Sequence, residues 1–550
     1  MRKHHFILLA SLIAAVFSCK SRETTLTKQD IFSSQKLIGL NFESEKIDTL
    51  YDYLLENKSG FDSLRKFPIP YETGPAVRFD PHPMGFQFPA KQENPPFLIP
   101  DDVPLPAELE QVAFYSIPQL ASLIRSGKIT SEALTQLYLN RIKRLDPSLQ
   151  SVITLTEDLA IRQAKQADQD IAAGNYKGIL HGIPYGVKDL LAVPGYPTTW
   201  GAAPYQDQVF DQTAQVVKLL EAQGAVLIAK LVSGELARGD VWFGGKTKNP
   251  WDLSQGASGS SAGSGAATSA GLVAFAIGTE TLGSITAPAS RTGITGLRPT
   301  YGRISRQGVM SLSWSMDKIG PLARSAEDCE IVFSVLYGKD PKDPSTNEVP
   351  FNRVQKAPSE MKVAYLKKEI DRDTTESGAR LRATLDVFSA LGVEPVAIEL
   401  PSNFPYDAFD IILRAEAGAF FDELVRSGEV DLLTEQGESS RANSLRQSRF
   451  IPAVEYLQAN RQRALLIEAM HELFRAYDAV ITPTGGRQLM ITNLTGHPAI
   501  SVPNGFDKKG RPTSFTLLGN LYDEGSILAL ARAYQLATEF EEQHPPKFEK

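Results

Sequence analysis

Ser260 and Ser284 stand 24 residues apart in a glycine-rich, nearly uncharged run, SGSSAGSGAATSAGLVAFAIGTETLGSITAPASRTGITGLRPTYG, over residues 258–302. Lys188 lies 72 residues before the first of them, in HGIPYGVKDL. Carboxamides are poor electrophiles. A serine hydroxyl attacks one only when a base takes its proton and donors hold the developing oxyanion. Histidine is the commonest base, and the chain has seven. His4 and His5 fall in an apolar leader, while His82, His181, His471, His497 and His544 are scattered. His181 stands beside the lysine motif and stays a candidate base. A lysine serves only when neutral, so its ordinary pKa of ~10.4 must fall through burial or nearby positive charge. Lys188 lies between Tyr185-Gly186-Val187 and Asp189-Leu190-Leu191, a mixed setting compatible with a partly buried amine.

Other readings compete. Gly259-Ser260-Ser261-Ala262-Gly263 fits the G-x-S-x-G elbow, with Ser261 as nucleophile. That elbow needs a buried strand before it, and the preceding NPWDLSQGAS is polar and turn-like. Gly- and Ser-rich runs also form linkers, but LVAFAIG interrupts this one with an apolar stretch that a solvated linker avoids. A lone lysine is usually a solvated surface charge.

Taken together and in order, these motifs resemble the amidase signature family of serine hydrolases. The likeness runs from about Phe114 towards the C-terminus and is strongest from Leu180 to Arg306. It implies that Lys188 is the catalytic lysine, that Ser260, in Gly259-Ser260-Ser261-Ala262-Gly263-Ser264, is the bridging serine on a cis peptide, and that Ser284, in GTETLGSI, is the nucleophile. The implied relay runs Ser284 to Ser260 to Lys188. The N–H groups of Thr281, Leu282, Gly283 and Ser284 would form the oxyanion hole. Leu282 stands where many members have glycine, and Thr286 where many have arginine. In these features the chain looks closer to bacterial peptide amidases than to members acting on acidic small amides. The implied activity is hydrolysis of a carboxamide, in a small molecule or at a peptide C-terminus, through a serine acyl-enzyme. Two alternatives are an inactive envelope binding protein on the same fold and a protein like the amide-cleaving subunit of the tRNA-dependent amidotransferase.

Periodicity shows the elements that must hold these residues. SIPQLASLIRSGKITSEALTQLYLNRIKRLDP reads as two helices, the second entered through Thr130 and Ser131. A further helix is expected over about 157–173. Helix followed by apolar strand recurs at TAQVVKLLEAQ and GAVLIAKLV, at LRATLDVFSALG and VEPVAIEL, and at HELFRAY and DAVITPT. That alternation predicts an α/β fold: one large amidase-like domain with a mixed, largely parallel sheet flanked by helices. Residues 340–475 lack such motifs and are expected to shape the substrate cleft.

The chain has 550 residues, 42% hydrophobic and 22% charged, with net charge −7. This is a globular composition with room for a large core. There is no basic stripe, so no nucleic-acid partner is expected. No Cys/His cluster or dinucleotide loop appears, so neither metal nor organic cofactor is expected. MRKHHFILLASLIAAVFSCKS carries a basic start and an apolar run, Phe6–Phe17, shorter than the roughly 20 residues of a membrane span. It reads as a signal peptide over residues 1–18, and Val16-Phe17-Ser18-Cys19 resembles a bacterial lipobox. Cys19 would then be lipidated and the protein exported to the bacterial envelope. It would be anchored there, on the periplasmic or outer-membrane face, by lipid alone. Residues 19–110 read as a tether, a helical stretch and a Pro-rich extension, and 111–550 as the amidase domain. Eleven of the 35 prolines lie between Pro68 and Pro106, which predicts an extended strap with Phe86, Phe88 and Phe97 as anchors. Cys329 is expected to pack in a helix.

Overall fold

The computed structural model of the chain describes residues 26–549, so Cys19 and the leader lie outside the described residues. The chain divides into two compact units between Pro70 and Tyr71. The first holds the helices Lys28–Ser34 and Ser44–Leu64, which bury Ile31 and Ile47. Thr27 caps the earlier helix by accepting from the Asp30 N–H.

The second unit is built on one eleven-stranded sheet. Its strands are β1 (Val152–Leu155), β2 (Pro184–Lys188), β3 (Val226–Leu231), β4 (Phe275–Glu280), β5 (Thr295–Arg298), β6 (Lys318–Ala323), β7 (Val363–Leu366), β8 (Val396–Ile398), β9 (Ala479–Pro483), β10 (Ala499–Phe506) and β11 (Pro512–Gly519). Their order across the sheet is β1-β3-β2-β4-β6-β5-β10-β11-β9-β7-β8. The expected α/β class and mixed sheet are present. Parallel pairing holds at two places, β3-β2-β4 and β9-β7-β8, and the middle of the sheet is antiparallel. The helix–strand alternation marks the parallel parts. Within that middle, β10 and β11 are joined by a short connection, and a tight hairpin can only reverse the chain.

Every position of β2, β3, β4 and β6 is buried. Strands covered on both faces read as near-continuous apolar runs, as VLIAKL does but for Lys230 and FAIGTE does up to Thr279. The two expected helices open on side-chain caps, the second at Thr130 as expected. Ser116 opens Ile117–Arg125 in a capping box with Gln119, and Thr130 accepts from the Ala133 N–H at the head of Ser131–Leu149. The run that resembles a linker is a helix, Ala262–Ser269, buried throughout against β4 and the helix Thr286–Thr292. Its small residues are the reason it fits. A Cβ on Gly263 would lie 2.2 Å from the Ser151 carbonyl oxygen and 2.3 Å from the Val232 nitrogen. Cys329 is buried in the helix Ala326–Leu336, where burial pushes its thiol pKa up, away from a reactive thiolate.

Residues 71–106 run extended over this second unit. The Tyr71 ring meets Trp200 edge-on at 5.0 Å, and Phe79 meets Tyr301 at 5.0 Å. Phe88 lies 5.6 Å from the Tyr522 ring, and the Arg353 guanidinium sits 4.0 Å over Phe97. Asn94 donates to the Phe351 carbonyl and accepts from the Arg353 N–H.

Candidate active site

The site gathers at the ends of two parallel neighbours. β2 and β4 pair with Val187 opposite Ile277, so Lys188, the last residue of β2, emerges beside Thr279 near the end of β4. Strand C-terminal edges are where α/β sheets bind ligands. Lys188 is fully buried. Its Nζ lies 2.7 Å from Ser260 Oγ and 2.9 Å from Thr279 Oγ1, with the Thr279 carbonyl oxygen at 3.4 Å. Burial brings its pKa down from 10.5 to about 7, against the smaller opposing pull of Asp317 and Glu280. At neutral pH a large share of this amine is therefore uncharged. The charged groups acting on it are acids at a remove, and its immediate partners are neutral oxygens.

Ser260 precedes the helix Ala262–Ser269 and follows a cis Gly259–Ser260 peptide. Ser284 stands four residues beyond the end of β4, at the entrance to Thr286–Thr292. The two segments are tied directly: the Ser261 N–H donates to the Ser284 carbonyl at 3.2 Å. Ser261 itself is spoken for. Its hydroxyl donates to the Thr279 carbonyl and accepts from the Thr279 N–H, both at 3.2 Å, and the residue is fully buried. The strand before Ser261, Asp252–Gly256, ends short of it and is only partly buried. The elbow reading is therefore not supported by the local geometry.

The turn carrying Ser284 is held by Glu280. One carboxylate oxygen accepts from the Ile285 N–H at 2.9 Å, the Thr286 N–H at 3.0 Å and Thr286 Oγ1 at 3.1 Å. The other accepts from Arg298 at 2.8 Å and Asn493 at 3.0 Å. Burial alone would raise the Glu280 pKa, but Arg298 and these hydrogen bonds bring it down to about 2. Thr286 is thus buried and bonded to Glu280, and it does not line the cleft. Asp317 holds the other side of the turn, accepting from Thr281 Oγ1 at 2.5 Å and from the N–H groups of Leu312 and Ser313. Gly283 takes φ +92°, a left-handed conformation that favours glycine, and so reverses the chain between Leu282 and Ser284.

Thr281, Leu282 and Ser284 open onto a cleft of about 720 Å³. Gly239 and Gly259 line one side of it, and Asp410, Leu413, Arg414, Glu438 and Arg441 another. Residues 340–475 therefore wall the cleft, as their lack of motifs suggested. Leu282 stands in the lining itself, alongside Ser284.

The histidines lie elsewhere. His181 precedes β2, whose four residue steps to Lys188 span about 13 Å. Its Nδ1 accepts from the Lys177 N–H, and its ring packs against Gly224. Among the described residues no histidine lines the Ser284 cleft. Asp189, next to the lysine, is a structural acid paired with Lys230 at 2.7 Å and bonded to Thr199. Among the described residues no group of three or more His, Cys, Asp or Glu side chains is placed to hold a metal.

The family model for amidases matches residues 133–489, which includes Lys188, Ser260, Glu280, Ser284 and Asp317. This chain belongs to the amidase signature family. It is an amide-hydrolysing enzyme. Among its relatives is a glutamyl-tRNA(Gln) amidotransferase subunit of Thioalkalivibrio sulfidiphilus, 32% identical over 79% of this chain and 99% of that protein. Another is AmiD of Mycobacterium tuberculosis, a candidate amidase by name, 33% identical over 81% of this chain and 99% of that one. The native peptide amidase of Stenotrophomonas maltophilia superposes with a TM-score of 0.68 at 27% identity, covering 77% of this chain and 97% of its own.

The amidase motifs thus come together as a set in space. Thr279, Glu280 and Asp317 were not singled out from sequence. The first two sit inside GTETLGSI, and strand alternation there could have flagged them. Asp317 is reached only through the pairing of β6 with β4, for which the sequence carries no local signal.

Proposed function

We propose that this amidase cleaves its carboxamide through an acyl-enzyme on Ser284, with Ser260 passing the proton to Lys188. Ser284 Oγ attacks the amide carbon and its proton moves through Ser260 to neutral Lys188. The N–H groups of Thr281, Leu282, Gly283 and Ser284 hold the oxyanion. Collapse breaks the C–N bond as the proton returns through Ser260 to the leaving nitrogen. Water, deprotonated by the same relay, then hydrolyses the ester. The observation that carries this reading is the 2.7 Å contact between Ser260 Oγ and a fully buried Lys188 whose pKa has fallen to about 7. The substrate proposed is a small-molecule carboxamide or the C-terminal amide of a peptide. The likeness to a peptide amidase supports this choice. The relative that is named for an amidotransferase carries a second reading, in which amide hydrolysis serves a partner. Turnover by the purified chain alone tells the two apart.

The test is a pair of substitutions. Ser284→Ala abolishes turnover of amidated peptides and simple carboxamides, while Ser261→Ala retains most of it. An inactive Ser261→Ala beside an active Ser284→Ala would replace this relay with the elbow.

A further inference from the structure

A second chamber, of about 670 Å³, lies between the extended segment that begins at Tyr71 and the body of the amidase unit. Tyr71, Phe79, Trp200, Phe210, Tyr301 and Trp314 give it aromatic walls. Its outer wall, residues 71–80, precedes the residues that the family model matches, so the chamber is a feature of this chain beyond the shared domain. Its size is that of small-molecule sites, about 300–1,000 Å³, which are also lined mainly by apolar and aromatic side chains.

The chamber is separated from the catalytic groups. A void of about 10 Å³ lies between them, sharing Leu190, Val309 and Met310 with the chamber and Ala237, Thr281 and Leu312 with the Ser284 cleft. Such a void holds about one water and passes nothing larger. A ligand in the chamber therefore does not reach Ser284 in this conformation.

The lining selects an uncharged ligand. Four acids and four bases line the chamber, so their charges balance. The buried ones are already engaged. Arg306 pairs with Asp343 and lies over the Tyr301 ring. Glu416 accepts from Ser313, Ser315 and Tyr456, and Arg463 donates to Ser315 and lies 3.5 Å over Phe79. Glu72, Arg78, Asp80 and Lys342 stand at the chamber's exposed rim. Its neutral polar groups include the hydroxyls of Ser311, Ser315 and Ser345 and the carboxamides of Gln212, Gln307 and Asn460, with Gln307 donating to Gln212 Oε1. The Gln307 Oε1 has no hydrogen-bond partner. Side-chain amides offer both donors and acceptors, the complement of a peptide unit. Aromatic walls favour an aromatic or bulky apolar group, which stacks or meets them edge-on.

From this we infer that the chamber is a second binding site, distinct from the Ser284 cleft, for a neutral peptide-like ligand bearing an aromatic or bulky apolar side chain. The test uses the full chain carrying Ser284→Ala, which prevents turnover, titrated calorimetrically with N-acetyl-phenylalaninamide. Ala464 lines the chamber from an exposed position on the helix Ala453–Phe474, so Ala464→Trp fills the space without entering the core. Tyr71→Ala instead removes part of the outer wall. A binding event that Ala464→Trp abolishes and Tyr71→Ala weakens at least tenfold, with melting temperatures preserved, supports the site. N-acetyl-glutamate, of similar size but charged, then binds at least tenfold more weakly at that event. Should Ala464→Trp unfold the chain, Tyr71→Ala decides alone. No event sensitive to either substitution, whether the titration shows one site, two or none, overturns the proposal. An event that takes the charged probe equally well overturns its ligand class.

Discussion

In the proposed relay, Lys188 is the residue on which the chemistry turns. It can accept a proton only because its amine is buried among neutral oxygens, which brings its pKa to about 7. The sign is that of a base. Below this pKa the amine is charged and the relay is blocked, and above it the relay runs. The kcat/KM for a neutral amide should therefore rise with pH along a limb centred near 7. Lys188→Ala should lose that limb and about 10²–10⁴-fold in rate. Lys188→Arg should not rescue it, since a guanidinium stays charged. His181→Ala, at the far end of β2, should keep the limb. A Lys188→Ala enzyme with the wild-type pH profile, beside a His181→Ala enzyme without it, would make the histidine the base. Lys188 and the two serines were legible in the sequence because each sits in a motif with its own spacing. The neutral surroundings of Lys188 were not. They depend on which strand lies next to β2, and the residues around the lysine gave a mixed signal.

Among the elements, the turn from β4 into Thr286–Thr292 decides where Ser284 points. Glu280 holds it with one oxygen and holds Arg298 with the other, all without exposure to solvent. Breaking a buried pair by removing one partner costs about 3–5 kcal/mol, because the other charge is left uncompensated. Glu280→Ala should destabilise the fold by that order, read as a lower urea midpoint, and should lower kcat in the fraction that stays folded. An unchanged midpoint would show that the clamp contributes nothing. The pH dependence has a definite sign. The folded-state pKa of Glu280, about 2, lies below its ordinary 4.5. Its contribution is therefore full above about 4.5 and is lost as pH falls through 2. Wild type should lose stability across that acid window more steeply than Glu280→Gln. The helices and strands themselves were readable from apolar period and caps, as at Thr130 and in VLIAKL. Strand order and direction were not. They are set by pairings between segments distant in sequence, such as β5 with β10, and by contacts such as Asp317 with Thr281, which no local pattern announces.

For the whole molecule, the amidase unit forms one sheet-centred body with an extended segment wrapped on its surface. The aromatic residues of that segment could be picked out as anchors. The chamber behind it could not, because a cavity is the space left between segments distant in sequence. The proposed envelope location rests on the leader and on Cys19. If it holds, cells grown with a labelled fatty acid should tag the protein at Cys19, and Cys19→Ser should release it from the membrane fraction. An untagged, soluble mature protein would end that proposal while leaving the chemistry of the site intact.

The central claim is that Ser284 is the nucleophile of a lysine-driven relay, and covalent capture tests it most directly. The purified chain is treated with a fluorophosphonate at pH 8, digested, and the adduct mapped by mass spectrometry. A single stoichiometric adduct on Ser284 is expected, formed far more slowly in Lys188→Ala and absent in Ser284→Ala. An adduct on Ser261, or labelling of Ser284 at an undiminished rate without Lys188, would contradict it.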